Sequence, residues 1–184
     1  MHSTPIAIRK AVLEDVPLLR SLIAESVRIL QASYYTPEQR EGALGTVFGV
    51  DTQLILDGTY MVAETGAAIV GCGGWSRRKT AFGSDHAADR DNALLDPAQD
   101  AAKIRAFFVH PEWVRRGIGS QILKACEAAA AAEGFTRLEL VSTLPGEPMY
   151  RARGFDPQEA FEVPLPNGVK LPVLRMTKTI ERNK

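Results

Sequence analysis

A short basic turn between an apolar run and a helical run constrains this chain more than any other segment. The apolar run over 104–109 indicates a strand, and the alanine-rich run that starts at 121 indicates a helix. Between them, residues 115–120 contain two arginines and two glycines. A strand that passes into a helix through such a turn aims unpaired backbone N–H groups and the positive end of the helix dipole at one point. The sequence therefore predicts that this turn binds a phosphate or pyrophosphate group.

Two common phosphate-binding patterns do not fit the turn. A dinucleotide-binding fingerprint needs a third glycine where this chain has Ile122. A Walker A loop needs a lysine before its serine, whereas Gly119 precedes Ser120. A plain helix start with surface arginines is the alternative that involves no ligand.

The turn resembles the cofactor loop of the GNAT superfamily of acetyl-coenzyme A-dependent N-acyltransferases. The family pattern is Q/R-x-x-G-x-G/A, and this chain has Val114 at the first position and glycines at the last two conserved ones. The resemblance implies that the turn binds the pyrophosphate and that the preceding strand pairs with the pantetheine arm. The residues assigned to the cofactor in this way are Phe107, Phe108, Val109, Arg115, Arg116, Gly117, Ile118, Gly119 and Ser120.

A second motif follows a predicted strand over 135–141 and a Pro-Gly turn. Residues 150–155 have the form Y-x-x-x-G-F, which again resembles the GNAT superfamily. The resemblance implies that Tyr150 lies beside the acyl sulfur and acts as the general acid. A buried amphipathic aromatic residue is the alternative interpretation. Thr143 stands where some family members have a cofactor-binding asparagine, and we include it among the cofactor-binding candidates.

The general base is the least constrained part of the predicted site. Many relatives place a glutamate on the cofactor strand, where this chain has Lys103 and Arg105 instead. Glu139 on the next strand is the nearest carboxylate in sequence, so Glu139 and Tyr150 are the candidate catalytic residues. A water chain relayed by backbone carbonyls, or deprotonation of the amine in solvent, is an equal alternative.

Composition limits the class of protein. With 184 residues, of which 45% are hydrophobic and 24% charged, the chain can bury one substantial core. We expect a single GNAT-like domain over 1–184, with its core at about 6–181. The 22 basic and 22 acidic residues balance, so neither nucleic acid nor an anionic membrane is an expected partner.

The rest of the composition predicts a cytoplasmic protein without a metal. No apolar run is long enough to cross a membrane, and the first residues lack the features of a signal peptide. Cys72 and Cys126 are far apart, which favours reduced thiols in the cytoplasm. The three histidines show no metal-ligand spacing, so no metal is expected.

The hydrophobic patterning predicts elements in the order β-α-α-β-β-β-α-β-α-β-β. A capping box at 36–39 begins the second helix, and Thr65-Gly66 joins two strands as a hairpin. The resemblance implies a GNAT-like α/β fold with a mixed sheet of six to seven strands and about four helices. It also implies that the sheet is splayed between its two central parallel strands.

Two further segments allow two interpretations each. Gly71, Gly73 and Gly74 either leave room for the acceptor substrate or permit tight packing against a helix or a large side chain. The acidic segment 77–103 either attracts a cationic amine or forms a solvated loop, and His86 within it is a further candidate base.

Together these features predict an enzyme that transfers an acetyl group from acetyl-CoA to a primary amine of a small molecule or protein. The amine attacks directly in a ternary complex, with Tyr150 as general acid. The alternative is a GNAT-fold module that binds or senses acetyl-CoA without catalysis. The exposed edge of the C-terminal hairpin makes a homodimer a further expectation.

Overall fold

A seven-stranded mixed sheet forms the centre of the computed structural model, which describes residues 4–181. Its strands are β1 (Ala7–Lys10), β2 (Tyr60–Thr65), β3 (Ala68–Ser76), β4 (Ala102–Val109), β5 (Arg137–Thr143), β6 (Asp156–Pro164) and β7 (Lys170–Thr179). Its helices are α1 (Val16–Leu30), α2 (Pro37–Ala43), α3 (Thr52–Leu56), α4 (Ile118–Ala132) and α5 (Glu147–Ala152). The strand order is β1-β2-β3-β4-β5-β7-β6, and only β4 and β5 pair in parallel. The predicted fold is confirmed, with five helices where about four were expected.

The sheet separates two hydrophobic clusters. α1 packs on one face against β3 and β4, and α4 packs on the other face against the same strands. Cys72 belongs to the cluster under α1, and Cys126 belongs to the cluster under α4. Both thiols are buried and free, as expected for reduced cysteines, because the sheet lies between them. Within residues 4–181, no helix is long and apolar enough to cross a membrane.

Local sequence signals correspond to the observed element boundaries. Thr36 Oγ1 accepts a hydrogen bond from the backbone N–H of Gln39 at 3.2 Å, and Gln39 Oε1 accepts one from the backbone N–H of Thr36 at 2.9 Å. This reciprocal pair is the predicted capping box at the start of α2. β2 and β3 pair antiparallel on either side of the Thr65-Gly66 turn, which confirms the predicted hairpin.

The glycines of β3 permit tight packing and do not leave space for a substrate. A Cβ at Gly71 would lie 2.5 Å from Ile118 of α4, and one at Gly73 would lie 2.7 Å from the Phe107 ring. A Cβ at Gly74 would lie 2.6 Å from the carbonyl oxygen of Thr59. The space beside these glycines is therefore filled by the protein, so the interpretation that they leave room for the acceptor is wrong.

The two central strands diverge after their first residues. β4 and β5 pair only at Ala102↔Leu138 and Lys103↔Glu139. Further along β4, Ala106 has a φ of 56°, and the register against β3 shifts there. A bulge of this kind bends a strand away from its neighbour. The predicted splay is confirmed, and it opens a cleft between the strand ends.

Candidate active site

The cleft between the ends of β4 and β5 has a volume of about 680 Å³. Its walls come from β4, the basic turn, the end of β5 and α5, together with the end of α1 and the segment 81–83. It brings together most of the sequence-predicted site residues: Phe107, Phe108, Val109, Arg115, Gly117, Ile118, Gly119, Ser120, Thr143 and Tyr150. Arg116, Glu139 and the further candidate base His86 do not line it.

The backbone of the basic turn is arranged to bind an anion. Arg115 and Gly117 have φ values of 59° and 74°, both in the left-handed region. A non-glycine residue in this region is uncommon and often marks a functional site. The first hydrogen bond from the turn into α4 joins the Gln121 amide to the Gly117 carbonyl at 3.0 Å. The N–H groups of Ile118, Gly119 and Ser120 are thus the ones that a helix start leaves without an intrahelical acceptor.

Basic side chains surround the same helix start. Arg115 lines the cleft, whereas the Arg116 guanidinium stacks on the Trp113 ring with its centre 4.3 Å from the ring centroid. Arg153 Nε donates to Ser120 Oγ at 3.0 Å, which brings a further cation to the turn. The sequence analysis missed Arg153, because it occupies one of the variable positions of the Y-x-x-x-G-F motif.

Tyr150 lies on α5 with its ring held between two other aromatic rings. The centroids of Phe107 and Phe155 are 6.1 and 5.7 Å from that of Tyr150, both in edge-to-face geometry. The Tyr150 side chain is buried, and this burial is the main cause that raises the pKa of its phenol above the ordinary value. The nearby Cys126 raises the pKa further, by a smaller amount. The phenol is therefore protonated over the whole physiological range. Tyr150 can donate a proton but cannot readily serve as a base.

Glu139 lies outside the cleft and is engaged with basic side chains. Its carboxylate is 2.8 Å from Lys103 Nζ and 3.5 Å from Arg175 Nη1. Among the cleft-lining residues in the described part of the chain, there is no aspartate, glutamate, histidine or lysine. His86 and the carboxylates of segment 77–103 are also absent from the lining. No group of three or more metal-ligating side chains is found between residues 4 and 181.

Buried polar contacts fix the bulge in β4, where Arg105 and Ala106 line the cleft. The Tyr60 hydroxyl donates to the Ala106 carbonyl oxygen at 2.9 Å. The neighbouring Arg105 guanidinium bonds Asp51 Oδ2 at 2.9 Å and the Gly83 carbonyl at 2.8 Å. Sequence reasoning noticed Arg105 only as a departure from the family, and it did not identify Asp51. The short-range signal at Asp51 is that of a helix cap, since its Oδ1 accepts from the Gln53 amide.

The segment 77–101 is held against the fold by specific contacts. Arg78 Nε is 2.7 Å from Asp57 Oδ2. Asp85 Oδ1 accepts hydrogen bonds from the amide and the hydroxyl of Thr52 at 2.9 and 3.0 Å. The part of the segment that reaches the cleft is Ala81, Phe82 and Gly83, so it contributes an apolar surface there.

Comparison with known proteins identifies the family of this chain. The model of the acetyltransferase (GNAT) family matches residues 24–155. No curated protein matches the chain in sequence. Among solved structures, a GCN5-related N-acetyltransferase from Rhodopseudomonas palustris has a TM-score of 0.72 and 23% identity, with 98% of each chain covered.

Two further solved structures have the same fold. PaiA N-acetyltransferase from Thermoplasma acidophilum, in complex with coenzyme A, has a TM-score of 0.66 and 16% identity, over 95% of this chain and 99% of its own. A phosphinothricin acetyltransferase from Sinorhizobium meliloti, in complex with AcCoA, has a TM-score of 0.63 and 20% identity, over 97% and 90%. Since the family model matches more than half of the chain, this protein belongs to the acetyltransferase (GNAT) family and is an acyltransferase.

Proposed function

We propose that the protein transfers the acetyl group of acetyl-CoA to a primary amine within a ternary complex. The observation that carries the proposal is that one cleft contains both the anion-binding turn at 115–120 and the phenol of Tyr150. The complexes of the T. acidophilum and S. meliloti enzymes with coenzyme A and AcCoA support this choice of acyl donor. When bound, acetyl-CoA supplies an activated thioester, and the protein supplies position and charge.

The lining residues fit that donor along its length. The amides at the start of α4 would bind the pyrophosphate, with Arg115 and Arg153 as counter-charges. Beyond Lys103, the edge of β4 has no partner in β5, so the backbone at 107–109 is free to pair with the pantetheine arm. Thr143 lies on the opposite wall of the cleft, at the end of β5.

The chemical step needs a positioned amine, a polarised carbonyl and a proton for the departing sulfur. The cleft walls hold the amine in near-attack geometry. A backbone N–H at Phe108 or Val109 stabilises the charge that develops on the acyl oxygen. Tyr150 donates its phenolic proton to the sulfur as the carbon–nitrogen bond forms and the carbon–sulfur bond breaks, and it regains a proton from water.

We further propose that the amine loses its proton to water and not to a carboxylate. The cleft lining within residues 4–181 contains no carboxylate or histidine, and Glu139 is paired with Lys103 and Arg175 outside it. Glu139 therefore has no role as base in this proposal. The acceptor reacts as the neutral amine, whether that form arises in solvent or through water at the cleft mouth.

A thermal-unfolding scan tests the choice of donor. A ligand at about 100 times its dissociation constant adds about 2.7 kcal/mol of native-state stability. We expect acetyl-CoA and coenzyme A to raise the unfolding temperature, and NAD and ATP at equal concentration to leave it unchanged. A well-folded protein that responds to neither coenzyme A ligand would contradict the proposal. Thiol release in the presence of amines then measures turnover.

A further inference from the structure

The part of the cleft that does not belong to β4, β5, α5 or the basic turn is mostly apolar, and we call it the acceptor half. It is formed by the end of α1, the segment 47–48 and the segment 81–83. Its lining includes Leu30, Gln31, Tyr34, Val47, Phe48 and Phe82. The Phe48 ring packs edge-to-face on Phe108 of β4, with the centroids 6.0 Å apart. This surface offers contact to an apolar group over most of its area.

The acceptor half has no free carboxylate to attract a polycation. Asp51, behind its wall, is already bound to Arg90 at 3.0 Å and to Arg105 at 2.9 Å. Asp85 is bound to the amide and hydroxyl of Thr52. An extended polyamine would have to leave a second ammonium group unpaired here, which costs free energy in a site of low polarity.

Gln31 and Arg105 are exceptions to this apolar character, and of the two only Arg105 has a counter-charge, Asp51. Gln31 is only 6% exposed, and its Oε1 atom is buried without any hydrogen-bond partner. Buried polar atoms without a partner are rare in folded proteins, and a bound ligand is one reason for them. Because Gln31 also lines the cleft, a rotation of its side-chain amide would turn Oε1 toward a ligand that supplies the missing donor.

We propose that the acceptor is a primary amine carried on an apolar arylalkyl or alkyl body, with an N–H of the amine donating to Gln31. The inference rests on the proposed acetyl transfer, since it names the substrate class of that same cleft. The apolar body contacts Tyr34, Phe48 and Phe82, and the Gln31 amide directs the nitrogen. The acceptor half equally disfavours an acceptor with several negative charges, because its side chains are mainly apolar and Arg105 beside it is already paired with Asp51.

The test compares matched amines on protein saturated with coenzyme A, by calorimetry, and then with acetyl-CoA, by thiol release. We expect 2-phenylethylamine and hexylamine to bind, and their kcat/KM to exceed that of spermidine and of L-glutamate by about tenfold or more. If spermidine or L-glutamate is preferred, or if neither apolar amine binds, the inference is overturned. A protein to which acetyl-CoA itself does not bind would instead overturn the proposed function.

A substitution at Gln31 separates recognition from folding. Gln31→Leu removes the unpaired polar atom, so it should keep or raise the unfolding temperature while raising KM for 2-phenylethylamine about tenfold. Gln158→Leu, on the exposed strand β6, is the matched control and should change neither quantity. An unchanged KM in Gln31→Leu would contradict the role of Gln31.

Discussion

Arg105 and Asp51 form an ion pair in which both side chains are only 2% exposed, with Nη2 and Oδ2 at 2.9 Å. The pair links β4 to the residue before α3. The same guanidinium donates to the carbonyl oxygens of Thr80 and Gly83. Burial lowers the pKa of Arg105 from its ordinary value, while Asp51 acts in the opposite direction. Since Arg105 lines the cleft, the pair fixes one of its walls.

Asp51→Asn should destabilise the fold strongly, because it leaves Arg105 buried without its counter-charge. Breaking a buried pair in this way costs about 3–5 kcal/mol. Urea unfolding gives the free energy of unfolding, and an unchanged m-value confirms that the comparison is valid. Glu41→Gln, which breaks the exposed Arg28–Glu41 pair, is the control and should have little effect. If the two variants lose equal free energy of unfolding, burial of the ion pair does not determine how much its loss destabilises the fold.

Asp51 also shows which kind of contact cannot be predicted from the sequence. Its carboxylate caps α3 locally, which the residues after it could suggest, but its partner Arg105 is 54 positions away. No local sequence pattern indicates that two positions so far apart form an ion pair. The turn at 115–120 was predictable because it joins a strand and a helix that are continuous in sequence, and the family resemblance pointed to Tyr150. The acceptor half is built from α1 and two irregular segments, whose meeting depends on the whole fold.

The position of Glu139 outside the cleft could not be predicted for the same reason, because it depends on how two strands pair. It is the nearest carboxylate in sequence, and the resemblance gave no reason to place it elsewhere. Its register is fixed by the pairing of Glu139 with Lys103 at the point where β4 and β5 still touch. The cleft begins further along both strands, so the side chain contacts Lys103 and Arg175 outside the cleft.

Tyr150→Phe should lower kcat by about 10²-fold or more, because it removes the general acid. The dissociation constant of acetyl-CoA should stay nearly the same, since the ring remains between Phe107 and Phe155. Stopped-flow thiol release and calorimetry measure the two quantities.

The control for Tyr150→Phe is a tyrosine with a structural hydroxyl. Tyr35 donates to the Pro172 carbonyl at 2.6 Å and accepts from the Leu144 amide at 2.9 Å. Tyr35→Phe should reduce stability by about 1 kcal/mol or more while kcat changes little. If Tyr150→Phe retains full turnover, the sulfur obtains its proton from another source.

Arg115→Ala should weaken coenzyme A binding more than Arg116→Ala. Arg115 lines the cleft, whereas Arg116 does not line it and is stacked on the Trp113 ring. A charge-assisted contact to phosphate is worth about 1.5–3 kcal/mol, so we expect at least a tenfold rise in the dissociation constant for Arg115→Ala. Calorimetry at two salt concentrations measures it, and the Arg115 effect should shrink at high salt. A larger loss in Arg116→Ala would reverse this assignment.

The rate should depend on pH through the acceptor and not through an ionisable base of the protein. In the range below the pKa of the amine, the neutral fraction rises tenfold for each pH unit, so log(kcat/KM) should rise with a slope of about one. The raised pKa of Tyr150 keeps the acid protonated across this range, so no falling limb interrupts the rise. The decisive measurement compares two apolar amines of different pKa. The bend in the profile should move with the amine, whereas a bend near pH 6–7 for both would reveal a protein base that the cleft lining does not contain.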